Sequence, residues 1–253
     1  MHRRASPWLL RRKPHAEAGL RLYCFPHSGA APSEYMRWTG RLPGVEVLGV
    51  QAPGRGSRLD EPPYTSMDRL VDALVSEVEF EAPFAFFGHS LGALTAYETT
   101  RALRERGRAQ PVALFVSAMG APHLQPHEPP THHLDDELFL RTVEAAGPLP
   151  AVVREDPELR DIVLRSLRGD AGVLDTYQHT PGRPLDLPVI LLGGAEDPET
   201  ELLQSWARYS TCPPRTHVLP GDHFYLREHS EELLGIILDT VRPHLGAGTE
   251  PVQ

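Results

Sequence analysis

Residues 86–98 read FFGHSLGALTAYE. An apolar aromatic run ends there, a serine stands at position 90 between glycines at 88 and 92, and a stretch with helical spacing follows. Gly88-His89-Ser90-Leu91-Gly92 matches G-x-S-x-G, the pattern of a strand that turns abruptly into a helix and exposes a serine hydroxyl at the bend. Neighbouring backbones approach so closely at such a turn that only glycine fits two positions before and two after. The hydroxyl then lies above a helix N-terminus, whose dipole favours negative charge. The bare pattern is common. Its weight comes from the buried strand before it and the helix after it.

The same alternation extends outward in both directions. Strands are expected in 20–29 (LRLYCFPHSG), 45–54, 84–90, 111–118 (PVALFVSA), 187–194 (LPVILLGG) and 215–223. They are nearly all apolar, as strands buried on both faces of a parallel sheet are. Helices are expected at 66–80, capped by Ser66, at 91–107, stopped by Gly107, and at 198–210 and 230–245. Strand–helix alternation of this kind implies a doubly wound α/β domain with a mostly parallel sheet. Residues 122–187 break the rhythm. They open on the Pro/His-rich PHLQPHEPPTHH and continue in helical pieces. Such an insertion is too long for an ordinary connection and reads as a helical lid over the strand ends.

Length and composition agree. The 253 residues, 40% of them hydrophobic, suit one α/β domain with a sizeable core. The expected organisation is a disordered basic tail at 1–19, a domain at 20–245 and a flexible tail at 246–253. The apolar PWLL of the basic start is too short for a signal-peptide core. No apolar run reaches the ~20 residues a membrane helix needs. The formal net charge is −9, and five cations (Arg3, Arg4, Arg11, Arg12, Lys13) lie in the first stretch, so the body is more acidic still. An acidic body repels phosphate backbones, which argues against nucleic-acid binding. Two cysteines, Cys24 and Cys212, give no sign of a disulfide framework or zinc site, and the expected location is cytoplasmic.

A serine is a poor nucleophile near neutral pH without a base, and the base needs an orienting carboxylate. In a fold of this kind the chain order is Ser, acid, His. Asp197 follows the strand PVILLGG and His223 follows RTHVLP, so both fall on the rim that carries Ser90. His89, His217 and His229 compete with His223; Glu196 and Asp222 compete with Asp197. The backbone N–H of Leu91, next after the serine, suits one half of an oxyanion hole, and that of Ser28, in FPHSGA, suits the other. His27 is expected to support that loop. Arg55 and Arg58 read as solvated loop charges, with contact to a phosphate or an acidic partner as the other reading. His123, His127, His132 and His133 fit no standard metal spacing, so no metal is expected.

FPHSGA, VQAPGRGSR, FFGHSLGA, GAEDP and GDHFYL together resemble the type II thioesterases, stand-alone α/β-hydrolases of polyketide and nonribosomal-peptide assembly lines. The resemblance covers roughly residues 20–245. It implies hydrolysis of wrong or stalled acyl thioesters from the phosphopantetheine arm of acyl or peptidyl carrier proteins, with no bound cofactor. It also implies Ser90, Asp197 and His223 as the triad, and Ser28 and Leu91 as the oxyanion-hole backbones. Gly29-Ala30 stands where the family often has two glycines, and GSR where an acid-containing stretch often follows PGR; neither touches the triad. Leu138, Phe139 and Val143 in the insertion are candidates for an acyl channel, with packing onto the core as the alternative. A general esterase or acyl-CoA hydrolase shares the triad and is the competing activity. A non-catalytic carrier-binding module is the competing class.

Overall fold

The computed structural model describes residues 6–126, 129–146, 149 and 151–246. Among them, seven strands form one sheet: β1 (Leu9–Leu10), β2 (Leu20–Phe25), β3 (Val45–Val50), β4 (Phe84–His89), β5 (Leu114–Ser117), β6 (Val189–Gly194) and β7 (Arg215–Leu219). Their spatial order is β1-β3-β2-β4-β5-β6-β7. β2 to β7 run parallel, and β1 is antiparallel to β3 at the edge. All six expected strands are present. The strand order reverses direction between β2 and β4, and crevices at such a switch point, beyond the carboxyl ends of the strands, are where open α/β sheets bind ligands.

Side chains alternate across the sheet into two cores. Tyr23, Phe25 and Phe86 enter one, while Leu22, Cys24 and Phe87 enter the other. Helices α1 (Met67–Glu77) and α2 (Leu91–Glu105) cover the first core, and a later helix, Ser230–Val241, covers the second. Ser66 caps α1 by accepting a hydrogen bond from the Arg69 N–H at 3.5 Å. Gly107 follows α2 with φ +63°.

Between β5 and β6 the described residues contain no strand of the sheet. They form α3 (Asp136–Ala146), α4 (Ala151–Glu155) and α5 (Pro157–Asp175). The last of these is part of the body: Val173 and the following Tyr177 join the first core. Gly169 and Gly172 let α5 lie against Pro63 and Thr65.

Three expectations need correction. Residues 6–10 are not part of a disordered tail, and residues 1–5 of the expected tail lie outside the described residues. Trp8 is fully buried beneath the Arg58 guanidinium, 4.4 Å from the ring centre, and Leu9–Leu10 adds a short strand to β3. The indole is buried while Arg11, Arg12 and Lys13 stay exposed, so a large apolar side chain is gained by the core at no cost to the solvation of those cations. β7 is not buried on both faces; it is the edge strand, with Arg215, Thr216 and Val218 exposed. The helix expected at 198–210 is a single α turn, α6 (Glu199–Leu202), followed by 3₁₀ helix over Leu203–Tyr209. Leu203, Trp206 and Tyr209 recur every third residue and are all buried, which the three-residue turn of a 3₁₀ helix accommodates on one ridge. The final helix is α7 (Ser230–Val241). The expected C-terminal tail lies outside the described residues beyond Gly246.

Candidate active site

Ser90 stands between β4 and α2 with φ 54° and ψ −127°, a backbone conformation that costs a non-glycine residue energy. It is held there by its own N–H, which donates to the Ser117 carbonyl at 2.8 Å, and by the packing of both glycines. A Cβ on Gly88 would overlap the backbone of Gly92 and Ala93; one on Gly92 would overlap the carbonyls of Phe25 and Pro26. The sequence pattern is therefore a steric record of β2, β4 and α2 meeting at one point.

Asp197 follows β6 and is 5% exposed. Its Oδ2 lies 2.9 Å from His223 Nδ1, and its Oδ1 accepts the Glu199 N–H at 3.1 Å. His223 follows β7 and is partly buried. The competing residues sit elsewhere. Glu196 is exposed. Asp222 is exposed too, and its carboxylate accepts the Phe224 N–H at 2.7 Å in a local turn. His217 lies within β7, in register with Leu192, and His229 precedes α7. Ser90 Oγ makes no hydrogen bond among the described residues. Contacts between nucleophile and base are often loose in an unliganded site.

His89 is fully buried behind the serine. Its Nδ1 meets Ser117 Oγ at 2.9 Å, and that oxygen meets Tyr225 OH at 2.7 Å. Its ring lies 5.0 Å from that of His223 and 5.5 Å from that of His27, centre to centre. Burial pushes the His89 imidazole well below its usual range, the charge of His223 adding to the effect. Burial likewise pulls His27 down to about 4, against the attraction of Glu34. Two histidines next to the site are thus held neutral. His27 Nδ1 lies 3.8 Å from Glu34, beyond hydrogen-bond reach, which leaves His223 as the member of the row hydrogen-bonded to a carboxylate.

The loop after β2 carries the other candidate groups. Ser28 is partly buried, and its N–H has no partner among the described hydrogen bonds. The neighbouring Gly29 N–H is taken by Asp170 Oδ2 of α5 at 2.7 Å. The Leu91 N–H is the first of α2 and is one of the helix donors that need a partner from outside. A rigid serine, a carboxylate-held imidazole and free amides beside them form an arrangement suited to acyl transfer.

The profile of the thioesterase-domain family matches residues 20–241. The chain belongs to the thioesterase family. Among curated relatives, this thioesterase is 37% identical to the thioesterase PikA5 of Streptomyces venezuelae, over 95% of this chain and 87% of that one. Among solved structures it resembles RedJ, the thioesterase of the prodiginine pathway in Streptomyces coelicolor. The TM-score is 0.81 and the identity 35%, over 93% of this chain and 92% of that one. It also resembles the type II thioesterase BorB of the borrelidin cluster, with TM-score 0.80 and 32% identity over 93% and 96% of the two chains.

Other residues of this thioesterase lie where the sequence did not place them. Arg55 and Arg58 are buried rather than solvated. Arg55 pairs with Asp170 at 2.6 Å, and Arg58 pairs with Glu61 and donates to the Gln51 carbonyl at 3.2 Å. His123 meets Tyr209 OH at 2.9 Å and His132 meets Asp175 at 2.9 Å, so these two imidazoles have separate partners; His127 lies outside the described residues. Phe139 is buried under the Arg168 guanidinium, Val143 is partly buried and Leu138 is 45% exposed. Cys24 and Cys212 are free thiols. Among the described residues no helix is long and apolar enough to cross a membrane. Asp170 is the residue that sequence reading missed. Its one signal was the GDAG step inside a helical stretch, since glycines there mark close approach to another backbone.

Proposed function

We propose that this thioesterase clears acyl groups from the phosphopantetheine arm of acyl or peptidyl carrier proteins in a polyketide or nonribosomal-peptide assembly line. The single observation that carries the chemistry is the 2.9 Å contact between His223 Nδ1 and Asp197 Oδ2 on the rim that holds Ser90. In this reading His223 takes the Ser90 proton through Nε2 as Oγ attacks the thioester carbonyl. Charge develops on the carbonyl oxygen, and the N–H groups of Ser28 and Leu91 receive it. The tetrahedral adduct collapses, the thiolate of the arm leaves with the proton from His223, and an acyl-Ser90 ester remains. Water, deprotonated by His223, then attacks that ester and releases the acid. Asp197 holds the imidazole in the tautomer that keeps Nε2 open, and stabilises the imidazolium.

The carrier-protein part of the proposal rests on the names of the relatives and on the site's position at the strand ends beside a helical insertion. Leu138 and Val143, with Phe139 below them, are the apolar surface of α3 offered to an acyl chain. α3 connects to the site through α5: Arg168 covers Phe139, and its neighbour Leu167 packs against Gly29. His27 supports the loop. The chemistry calls for no bound cofactor. Two free thiols suit the reducing cytosol, where we place the enzyme.

The test compares one acyl group on a carrier protein, on coenzyme A and as an oxygen ester. The expected order of kcat/KM puts the carrier first, because contacts made outside the site help position the thioester. Equal or better efficiency with coenzyme A for acetyl, propionyl and longer chains would overturn the carrier-protein reading and favour a general acyl hydrolase.

A further inference from the structure

The carboxylate of Asp170 is buried, 6% exposed, in the middle of α5, 141 positions along the chain from the glycine it grips. One oxygen accepts the Gly29 N–H at 2.7 Å and the other the Arg55 guanidinium at 2.6 Å. Arg55 in turn donates to the Ala30 carbonyl at 3.3 Å. Leu167, one turn earlier on α5, packs so closely on Gly29 that a Cβ there would have to displace it. Gly29 itself has φ +73°, in the left-handed region that glycine tolerates best. The loop between β2 and Pro32 is therefore held on a donor and an acceptor at successive residues by one buried ion pair that reaches in from the helical insertion.

We propose that Asp170 is a positioning residue for the oxyanion loop, acting together with Arg55. By taking the Gly29 amide, it turns that peptide away from the site and leaves the preceding Ser28 N–H as the one facing the developing charge. A donor that stabilises a transition state must already be in place when the charge forms, and a displacement of about 1 Å is enough to cost about 10²-fold in rate. Asp170 touches no reacting atom. It sets the donor's place, and through α5 it ties that place to the helical insertion. This inference rests on the reading of Ser90 as the nucleophile.

The test uses the full chain with Asp170→Asn, Arg55→Lys and the paired variant Asp170→Asn with Arg55→Gln, which leaves no lone buried charge should the first variant fold poorly. Two readouts are taken on protein shown to be folded by circular dichroism: the rate of Ser90 labelling by a fluorophosphonate, and kcat and KM for an acyl-pantetheine thioester. Asp170→Asn and the paired variant are expected to slow labelling and kcat by roughly 10- to 100-fold, short of or equal to the loss of an oxyanion donor, with KM changed by less than about twofold. Arg55→Lys, which keeps the charge and loses the fork, is expected to fall between them and the unaltered enzyme. A lower melting temperature with labelling and kcat unchanged in Asp170→Asn and the paired variant would make Asp170 a structural residue only and overturn the proposal. The labelling readout does not depend on the natural substrate. Slow thioester turnover by the unaltered enzyme with fast Ser90 labelling would count against the substrate reading alone, and the labelling ratios would still decide the role of Asp170.

Discussion

His223 Nδ1 and Asp197 Oδ2 lie 2.9 Å apart, with the carboxylate buried and its second oxygen fixed by the Glu199 N–H at 3.1 Å. The contact dictates the tautomer, since an Nδ1–H facing a carboxylate leaves Nε2 unprotonated toward the serine. Asp197→Asn would offer an amide that can stabilise the wrong tautomer. A rate loss on the order of 10⁴-fold is expected, as for the acid of comparable triads. Asp222→Asn and Glu196→Gln, both at exposed carboxylates, are expected to stay within a few-fold of the unaltered enzyme. A larger loss in either than in Asp197→Asn would move the acid to that residue.

Adding a single methyl group at the elbow should be damaging out of proportion to its size. Gly92→Ala would press a Cβ onto the carbonyls of Phe25 and Pro26, which are backbone and cannot rotate away. Overpacking of this kind costs typically about 1–3 kcal/mol. Urea unfolding should show that loss, together with a larger loss of activity as Ser90 shifts. Gly235→Ala, at a position with open space around it, is the control and should be neutral or better.

Trp8 supplies a direct check on the N-terminal segment. It is fully buried, stacks on Tyr64 at 6.2 Å between ring centres and lies under Arg58. Trp8→Ala is expected to lower stability by about 3–5 kcal/mol, the usual range for removing a large buried aromatic. A change under about 0.5 kcal/mol, typical of a surface position, would restore the disordered-tail description.

Acid should destabilise the fold before it protonates the bulk of the carboxylates. His27 is pulled down to about 4 in the folded state, and complete burial holds His89 well below its usual range. Unfolding frees both to bind protons near the ordinary histidine value of ~6.5. The unfolded state then holds more protons, so stability is fully present above that value and is lost as pH falls through it toward 4. Each group contributes a slope of up to about 1.4 kcal/mol per pH unit in that window. Denaturant unfolding measured from pH 7 to 4.5 should show the decline, and His27→Gln should make it shallower. A flat profile from pH 7 to 5 would contradict the buried, neutral histidines.

The insertion should divide into two dynamic parts rather than move as one lid. α5 is tied down at Asp170, Gly169, Gly172 and Val173, whereas α3 and α4 are mostly exposed and carry the exposed Leu138 and Val152. Amide hydrogen exchange should therefore be slow in the second half of α5 and much faster in α3 and α4. Uniformly fast exchange through Asp175 would show that α5 moves with them.

The parts of the fold that were legible in sequence are those where local sterics write the pattern. Gly88 and Gly92 record a backbone crossing that any residue with a Cβ would block. Asp197 and His223 were legible because each comes a few residues past the end of a strand, so the topology alone brings them to the rim of Ser90. Arg55 and Asp170 were not legible. They lie 115 positions apart, each sits among ordinary loop or helix residues, and their burial exists only once α5 packs over the loop after β3. Trp8 was hidden for a similar reason: the cations around it set the character of the segment, while its pocket is assembled from Tyr64 and Arg58. The exposed β7 kept an apolar look because Val218 and Leu219 read alike, although only Leu219 faces the core.

The most direct test of the central claim is a single comparison of thioester hydrolysis by the unaltered protein and by Ser90→Ala, with the acyl-enzyme sought by mass spectrometry. Hydrolysis is expected to fall on the order of 10⁶-fold in Ser90→Ala, while the circular dichroism spectrum stays the same and an acyl adduct appears on Ser90 in the unaltered protein only. Hydrolysis within tenfold of normal in Ser90→Ala, with no adduct on Ser90 in either protein, would contradict the account.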